Sequence, residues 1–297
     1  MKIKSVIVSG AAGFAGCNLV EHLAANGIYV YALVRAGSKH NERLKKLETS
    51  KVELVEADFD DYASLPEKIK GTPEIFFHLA WGSKGRNDIP TEYANVGRTL
   101  EAVKAAKKIG CKRFVATGSQ AEYGVKSGMI TEDLIADPFS AYGAAKTAAC
   151  YLSRHLAADL GIEWIWGRIF SLYGKYEPHG RLLPDIIEKL KKGEVPSISK
   201  AEQYWDYLDA ADGAAAILAL ARSGRNGEIY NIANGDYHPL KFFMEKLRDR
   251  YAPDAEIIYG EAPNPFVSLK PSVEKIYHDT GWRAKVEFMD SIKEIYG

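Results

Sequence analysis

The 297-residue chain is predicted to belong to the α/β class, with a doubly wound parallel sheet. Short apolar segments rich in Val, Ile and Phe alternate with helical patterns from residue 3 to about 170, as buried parallel strands and crossover helices do. The predicted strands are Ile3–Ser9, Tyr29–Val34, Val52–Glu56, Ile75–Ala80, Arg113–Gly118 and Glu163–Ile169. The predicted helices are Gly13–Asn26, Glu42–Thr49, Tyr62–Ile69, Thr91–Ile109 and Ser140–Leu160.

A glycine-rich turn follows the first strand and opens the first helix. It reads Gly10-Ala11-Ala12-Gly13-Phe14-Ala15-Gly16. Gly10 permits a tight turn, Gly13 lets the backbone approach a pyrophosphate, and Gly16 lets helix and strand pack closely. The free N–H groups of the helix N-terminus then face the phosphates. This context predicts a Rossmann-type domain that binds a dinucleotide.

The pattern loosens after residue 170. We predict a dinucleotide-binding domain over 1–170 and a smaller α/β substrate-binding lobe over 171–297, interleaved with the first at the sheet edge. The predicted elements of this lobe are a loop over 173–180, helices Leu183–Lys192, Ala210–Ser223, Leu240–Tyr251 and Asp290–Tyr296, and strands Val195–Ser199 and Glu228–Ala233.

Composition excludes several classes of function. Lys plus Arg equals Asp plus Glu at 39 each, which argues against nucleic-acid or membrane-surface binding. The scattered Cys17, Cys111 and Cys150 are typical of reduced core thiols, so we expect a cytoplasmic protein. No Cys/His cluster has metal-ligand spacing, and no apolar run approaches the length of a membrane span.

Tyr142 and Lys146 are the first candidate catalytic pair. They lie four residues apart in Ser140-Ala141-Tyr142-Gly143-Ala144-Ala145-Lys146, and so share one face of a helix. A neighbouring ammonium should lower the pKa of a phenol from about 10. We therefore expect Tyr142 to pass a proton to or from a sugar or steroid hydroxyl near neutral pH.

An ordered set of motifs resembles the extended short-chain dehydrogenase/reductase superfamily, and within it the NAD-dependent epimerase/dehydratase family that acts on nucleotide sugars. The resemblance covers nearly the whole chain. Its motifs are Gly10-x-x-Gly13-x-x-Gly16, Asp58-Phe59, His78-Leu79-Ala80, Asn95-Val96-x-x-Thr99, Ser119-x-x-x-Tyr123-Gly124, Tyr142-x-x-x-Lys146, Asp206-Tyr207-x-x-x-x-Asp212 and Tyr230-Asn231-Ile232-Ala233.

The resemblance implies roles for these residues. Ser119, Tyr142 and Lys146 would be catalytic, with Tyr142 as acid/base at a sugar oxygen, and Tyr142 and Lys146 would also contact the cofactor. The other implied cofactor contacts are Gly10, Gly13, Phe14, Ala15 and Gly16 at the pyrophosphate, Asp58 and Phe59 at the adenine, and Leu79 and Ala80 at the nicotinamide ribose. A homodimer through the helices at Thr91–Ile109 and Ser140–Leu160 is expected from the family.

The end of the second strand predicts the cofactor. NAD-specific proteins place a carboxylate there on the ribose 2′-hydroxyl, whereas this chain has Val34 followed by Arg35. A guanidinium can bind a 2′-phosphate bidentately, and Ser38 and Lys39 lie just beyond. We therefore expect NADP, with NAD as the alternative.

The expected substrate is a nucleotide-diphosphate sugar, and two departures from the family pattern affect its binding. Trp205 replaces an Arg and Ser171 replaces an Asn that contact the diphosphate in relatives, so Lys175, Arg181 and Lys200 become candidates. The alternative for Trp205 is a core aromatic, which is the commoner fate of a Trp. The candidate substrate contacts are Trp81, Gln120, Glu122, Ser171, Lys175, Arg181 and Trp205.

The triplet Ser119-Gln120-Ala121 stands where dehydratases of the family carry Thr-Asp-Glu, which argues against a 4,6-dehydratase. The NADP expectation and the motifs favour an NADPH-dependent reductase of a nucleotide-linked 4-keto-6-deoxy sugar. A 4-epimerase that recycles NAD is the alternative. A non-catalytic NADP-binding module is a third possibility, although the Ser/Tyr/Lys set is intact.

Overall fold

A computed structural model describes residues 3–47, 51–83, 88–261 and 268–297. Its strands are β1 (Ser5–Ser9), β2 (Tyr29–Val34), β3 (Val52–Glu56), β4 (Ile75–His78), β5 (Arg113–Ser119), β6 (Glu163–Ile169), β7 (Ser171–Tyr173), β8 (Ser197–Ile198), β9 (Tyr204–Trp205), β10 (Tyr207–Asp209), β11 (Glu228–Ile232), β12 (His238–Pro239) and β13 (Ile258–Tyr259).

The helices are α1 (Phe14–Ala25), α2 (Asn41–Lys45), α3 (Leu65–Lys68), α4 (Ile89–Ile109), α5 (Ala141–Leu160), α6 (Leu182–Lys191), α7 (Ala210–Ser223), α8 (Leu240–Tyr251), α9 (Glu274–Thr280) and α10 (Phe288–Tyr296). Two 3-10 helices span Phe59–Ser64 and Gln120–Glu122.

Seven parallel strands form the central sheet, in the order β11-β6-β5-β4-β1-β2-β3. This confirms the predicted doubly wound α/β fold. The chain reverses its direction across the sheet between β1 and β4. Ligands bind outside the carboxyl ends of the strands at such a switch point.

Helices cover both faces of the sheet. One buried core contains Leu19 of α1 and Leu220 of α7, and the other contains Val103 of α4 and Ala149 of α5. Cys17, Cys111 and Cys150 are buried and unpaired, in accord with their prediction as core thiols. A third core joins α6, α8 and α10 around the aromatic residues Tyr173 and Tyr207.

The segment after residue 170 is interleaved with the sheet. Strand β11 is its seventh strand, and α7 packs against α1, while α6, α8 and α10 form the separate third core. Helix α9 was not predicted, because only Ile276 of its seven residues is buried and no apolar period marks it. The strand predicted at Val195–Ser199 shortens to the two residues of β8.

Two predicted helices in the first half also differ. The Tyr62–Ile69 prediction becomes the first 3-10 helix followed by α3, which has Pro66 in its first turn. Proline suits the first turn of a helix but not its interior, so a new helix begins there. The Glu42–Thr49 prediction becomes the shorter α2, which ends at Lys45, and residues 48–49 lie outside the described part of the chain.

In the ranges that the structure describes, no helix combines the length and apolar character needed to cross a membrane. The same ranges contain no group of three or more His, Cys, Asp or Glu residues that could hold a metal ion.

Candidate active site

The glycine turn brings three backbone segments into contact. Gly10 has a φ of +70°, and a Cβ there would lie 2.7 Å from the nitrogen of Ala80. A Cβ on Gly16 would lie 2.0 Å from the oxygen of Gly10. Only glycine fits these two positions. Helix α1 therefore begins at Phe14 directly above the end of β1, with Gly13 as its N-cap.

A crevice of about 370 Å³ opens at the switch point beside this turn. Its lining includes Gly10, Gly13, Arg35, Ser38, Asp58, Phe59, Leu79, Ala80 and Trp81. The structure thus gathers most of the predicted cofactor residues around one cavity. Phe14 and Ala15 pack partly buried against the core beside it. The turn, the free helix N-terminus and the crevice fit a dinucleotide.

The far end of the crevice carries mixed charge. A second cavity of about 510 Å³ shares Arg35, Ser38 and Asp58 with the first and adds Glu56, Asp61 and Lys68. The carboxylate of Asp58 accepts a hydrogen bond from the nitrogen of Phe59 at 2.7 Å, and Asp61 lies 3.7 Å from Lys68. Within the described ranges, Arg35 forms no ion pair, so its guanidinium can meet an anion.

Ser119 ends β5 and caps the second 3-10 helix, where its Oγ accepts a hydrogen bond from the nitrogen of Ala121 at 3.2 Å. Ser140 caps α5 through the nitrogen of Gly143 at 3.1 Å. A Cβ on Gly143 would lie 2.4 Å from the oxygen of Ala121, so α5 packs directly on the Ser119 turn. This close packing brings Tyr142 within side-chain hydrogen-bonding reach of Ser119.

The pKa of Tyr142 differs from the value expected beside Lys146. Burial raises the pKa of Tyr142 to about 12, and the hydrogen bond with Ser119 only partly offsets this. The predicted lowering by Lys146 is therefore wrong in this structure. The ammonium of Lys146 instead donates to the oxygen of Thr117 at 2.7 Å and lies 3.8 Å from the ring centre of Trp81. Burial lowers the pKa of Lys146 to about 8.

Glu122 was predicted to contact substrate, and the structure corrects this. The residue is 0% exposed. Its Oε1 accepts from the nitrogen of Ser119 at 2.8 Å and from the indole of Trp166 at 2.9 Å, and its Oε2 pairs with Arg168 at 2.8 Å. Both oxygens are occupied inside the core, so Glu122 supports the Ser119 turn from beneath rather than facing a ligand.

Trp81 and Gln120 remain beside the catalytic groups. The ring of Trp81 lines the crevice and meets Tyr142 edge-on, with ring centres 6.1 Å apart. Gln120 is partly exposed and directly follows Ser119. Ser171 is partly exposed at the start of β7, next to the end of β6.

Two of the cationic candidates for the diphosphate, Lys175 and Arg181, have different surroundings. The ammonium of Lys175 pairs with Glu21 of α1 at 2.6 Å, and its side chain is exposed. Arg181 is exposed, and its guanidinium lies 5.7 Å from the ring centre of Phe14 at the start of α1. Arg181 also lowers the pKa of Tyr142, so its charge reaches the catalytic groups.

Trp205 is the last correction. Its partly buried ring packs against the third core, 6.3 Å from the ring centre of Tyr207. This is the core-aromatic alternative rather than a substrate contact. Its indole nitrogen is buried and finds no hydrogen-bond partner in the parts of the chain that the structure describes.

Two residues of the site were missed. Arg168 is 1% exposed, and a charge in the apolar strand predicted at Glu163–Ile169 could have indicated a buried partner. Glu92 is buried in α4 and binds the indole of Trp81. Its spacing from Asn95 and Thr99 places all three on one face of the helix, which was the available signal.

The fold, the glycine crevice and the neighbouring Ser, Tyr and Lys side chains define the class of a short-chain dehydrogenase/reductase. The model of the NAD dependent epimerase/dehydratase family matches residues 6–233. The chain therefore belongs to the NAD dependent epimerase/dehydratase family and is an enzyme of that family.

Its relatives are nucleotide-sugar epimerases and dehydratases. The chain is 31% identical over 242 residues to a UDP-glucose 4-epimerase of Mycolicibacterium smegmatis, covering 77% of each chain. It is 26% identical over 318 residues to a dTDP-glucose 4,6-dehydratase of Xanthomonas campestris, covering 96% of this chain and 90% of that one.

Solved structures share the fold. The UDP-glucuronic acid 4-epimerase of Bacillus cereus in complex with NAD superposes with a TM-score of 0.86 at 21% identity, covering 98% of this chain and 97% of the other. At that identity the likeness establishes the architecture.

Proposed function

We propose that the enzyme reduces the C4 ketone of a nucleotide-linked 4-keto-6-deoxy sugar with NADPH. The observation that carries this proposal is that Ser119 and a protonated Tyr142 lie together beside a crevice whose far end is lined by the exposed Arg35. The first pair suits proton donation to a ketone oxygen, and the arginine suits a 2′-phosphate.

The crevice would hold the cofactor along its length. Gly10 and Gly13 would face the pyrophosphate, and Arg35 with Ser38 would face the ribose 2′-phosphate. Lys146, whose ammonium lies against the crevice-lining Trp81, would bind the nicotinamide-ribose hydroxyls. When bound, the nicotinamide supplies the hydride.

Tyr142 provides the proton. Because its pKa is raised to about 12, the phenol stays protonated at neutral pH and can donate to the ketone oxygen. Ser119 would hydrogen-bond the same oxygen and fix its angle to the phenol. A positioned acid of this kind contributes roughly 10²–10⁴-fold to the rate.

The turn after β5 favours reduction over dehydration. Elimination of water needs an acid and a base near C5 and C6 of the sugar, but the positions after Ser119 carry Gln120 and Ala121. The nearest carboxylate along the chain, Glu122, is closed inside the core. The turn therefore offers hydrogen bonds from Gln120 but no acid/base pair.

A 4-epimerase is the second candidate. The 31% identity to a UDP-glucose 4-epimerase favours it, as do structural neighbours that contain NAD. An epimerase of this kind would use NAD without net consumption. The carboxylates of Glu56 and Asp61 near Arg35 would also suit NAD better than NADP, because they repel a 2′-phosphate.

The sugar nucleotide would lie between the catalytic groups and the second half of the chain. Arg181 is the cation that we propose for its diphosphate, because it is exposed and its charge reaches Tyr142. Ser171 and Gln120 would add hydrogen bonds. The role of residues 171–297 as the substrate-binding lobe is part of this proposal.

We also propose a homodimer through α4 and α5. The two helices pack together, and they carry the exposed apolar side chains Ile89, Tyr93, Tyr151 and Leu152. Exposed apolar patches of this kind mark association surfaces. Light scattering on the purified protein should give twice the chain mass, and Tyr93→Glu with Leu152→Glu should halve it.

The test of function is cofactor consumption against a panel of nucleotide-linked 4-keto-6-deoxy sugars. We expect stoichiometric NADPH oxidation with one member of the panel, and slower turnover with NADH. Interconversion of 4-hydroxy epimers without net cofactor oxidation would support the epimerase instead. UDP-glucose and UDP-galactose are the control substrates for that outcome.

A further inference from the structure

We propose that Glu92 is a positioning residue for the ammonium of Lys146 and acts on it through the indole of Trp81. The inference rests on the proposed function, because it concerns how the same site holds its catalytic lysine.

Trp81 joins the crevice to helix α4. It lies three residues after the end of β4 and lines the crevice. Its indole nitrogen donates to Oε2 of Glu92 at 2.9 Å. Glu92 is 3% exposed, and a buried carboxylate is costly unless it is hydrogen-bonded. The bond to Trp81 therefore has a stabilising role for both side chains.

Helix α4 also holds Gly82, the residue after Trp81. Asn95 accepts from the nitrogen of Gly82 at 3.0 Å and donates to its oxygen at 2.8 Å. One turn further on, Thr99 meets His78 at 3.2 Å. Glu92, Asn95 and Thr99 share one helix face, so this face fixes the loop that lines the crevice. Asn95 fixes its backbone, and Glu92 fixes the Trp81 ring.

The ring in turn holds the ammonium. Lys146 is 4% exposed, and its Nζ lies 3.8 Å from the ring centre of Trp81. The ammonium also donates a hydrogen bond of 2.7 Å to the oxygen of Thr117 and lies 5.9 Å from the ring centre of Trp166. A carboxylate that accepts the indole N–H raises the electron density of the ring, which strengthens its attraction for a cation. Glu92 thus both orients and polarises the surface on which the ammonium rests.

The proposed role of Trp81 in holding Lys146 differs from a role as a side chain that only lines the sugar pocket. A wall would act on the sugar, so its loss would raise the KM for the nucleotide sugar. Displacing Lys146 would instead weaken cofactor binding and lower kcat, because the proposed function gives Lys146 the nicotinamide-ribose hydroxyls and it lies one helical turn from Tyr142 on α5. The two roles can therefore be distinguished, because one changes the KM for the sugar and the other changes kcat and the affinity for the cofactor.

The experiment is a double-mutant cycle with Glu92→Ala and Trp81→Phe. Binding of NADPH and of NADH is measured by nicotinamide fluorescence, and kcat and KM are measured with the sugar that the panel identifies. We expect Glu92→Ala to weaken cofactor binding and to lower kcat by roughly three- to thirtyfold, the range of a desolvated cation–π contact. The KM for the sugar should stay unchanged.

In the Trp81→Phe background, which lacks the indole N–H, adding Glu92→Ala should change neither quantity by more than about twofold. Glu92→Gln keeps a neutral acceptor for the indole, so it should recover the part of the loss that comes from the orientation of the ring. The control is Glu101→Ala, since Glu101 is an exposed carboxylate on the same helix, and it should change nothing. Thermal unfolding of every variant separates misfolding from mispositioning.

Additive effects would overturn the proposal, because Glu92 would then act directly through its charge. A raised sugar KM with intact cofactor binding would also overturn it, in favour of a pocket wall. The measurement of NADPH and NADH binding needs no sugar. It therefore tests the role of Glu92 even where no member of the panel is reduced and the proposed function fails.

Discussion

The two ends of the crevice are built differently. At the catalytic end, Ser119 is held by a cap on a 3-10 turn, and Lys146 is enclosed by Thr117 and Trp81. At the ribose end, Arg35 stands exposed on the turn after β2, without an ion pair in the described part of the chain.

The difference suggests that the catalytic end carries out proton transfer, and that the ribose end determines the preference for NADP or NAD. Proton transfer needs groups fixed at the ends of strands and helices, which buried contacts supply. Recognition of a 2′-phosphate needs only a cation within reach of the cavity rim, and one substitution on an exposed turn can change it. We therefore expect changes at the catalytic end to abolish turnover or stability, and changes at the ribose end to alter preference.

The largest effect is expected at Tyr142. Tyr142→Phe removes the proton donor and keeps the ring, so kcat should fall by roughly 10²–10⁴-fold. Affinity for NADPH, measured by fluorescence titration, should stay within a few-fold of wild type. A variant that retains full turnover would show that another group donates the proton.

Glu122 tests the rigidity of the same end. Glu122→Gln leaves the guanidinium of the buried Arg168 without its counter-charge, which should cost roughly 3–5 kcal/mol of unfolding free energy. Urea unfolding measures this loss. The matched control is Glu188→Gln, which breaks an exposed pair with Lys192 and should have no measurable effect. Equal stability of the two variants would contradict the structural role of Glu122.

Lys146 makes stability depend on pH. Its pKa falls from 10.5 to about 8 on folding, because burial disfavours the ammonium. Between these two pKa values the unfolded chain binds more protons than the folded chain. The free energy of unfolding of the wild type therefore increases as pH rises from 8 toward 10.5, and decreases when pH is lowered over the same range. Relative to Lys146→Met, the wild type should gain about 2 kcal/mol between about pH 7 and pH 10 in urea unfolding. A difference independent of pH would show that Lys146 is not desolvated.

Arg35 should give the smallest change. Arg35→Ala removes one charge-assisted contact, so the ratio of kcat/KM for NADPH over NADH should fall by roughly tenfold or more. Rates with NADH should hardly change. Lys70→Ala removes an exposed cation outside both cavities and serves as the control. An unchanged ratio would place the 2′-phosphate elsewhere or favour NAD.

The sequence predicted the sheet and the glycine crevice because both depend on local patterns. Apolar strands, a glycine turn and helical spacing can each be identified within about 30 residues. The partners of buried charges could not be predicted in this way. Glu122 lies three residues after Ser119, yet its partner Arg168 comes from β6, and Trp81 meets Glu92 of α4. Such pairs depend on register and packing, so the sequence predicted a substrate contact for Glu122 and left the core and the substrate site open for Trp205.

The most direct test of the central claim follows deuterium from the cofactor. The enzyme is incubated with NADPH labelled at C4 of the nicotinamide and with the 4-keto-6-deoxy sugar nucleotide that the panel identifies, and product mass is measured together with NADP formation. A reductase places one deuterium in each product sugar and forms one NADP for each. Product that carries no deuterium, formed without net oxidation of NADPH, would contradict the reductase and identify an enzyme that recycles its own bound cofactor.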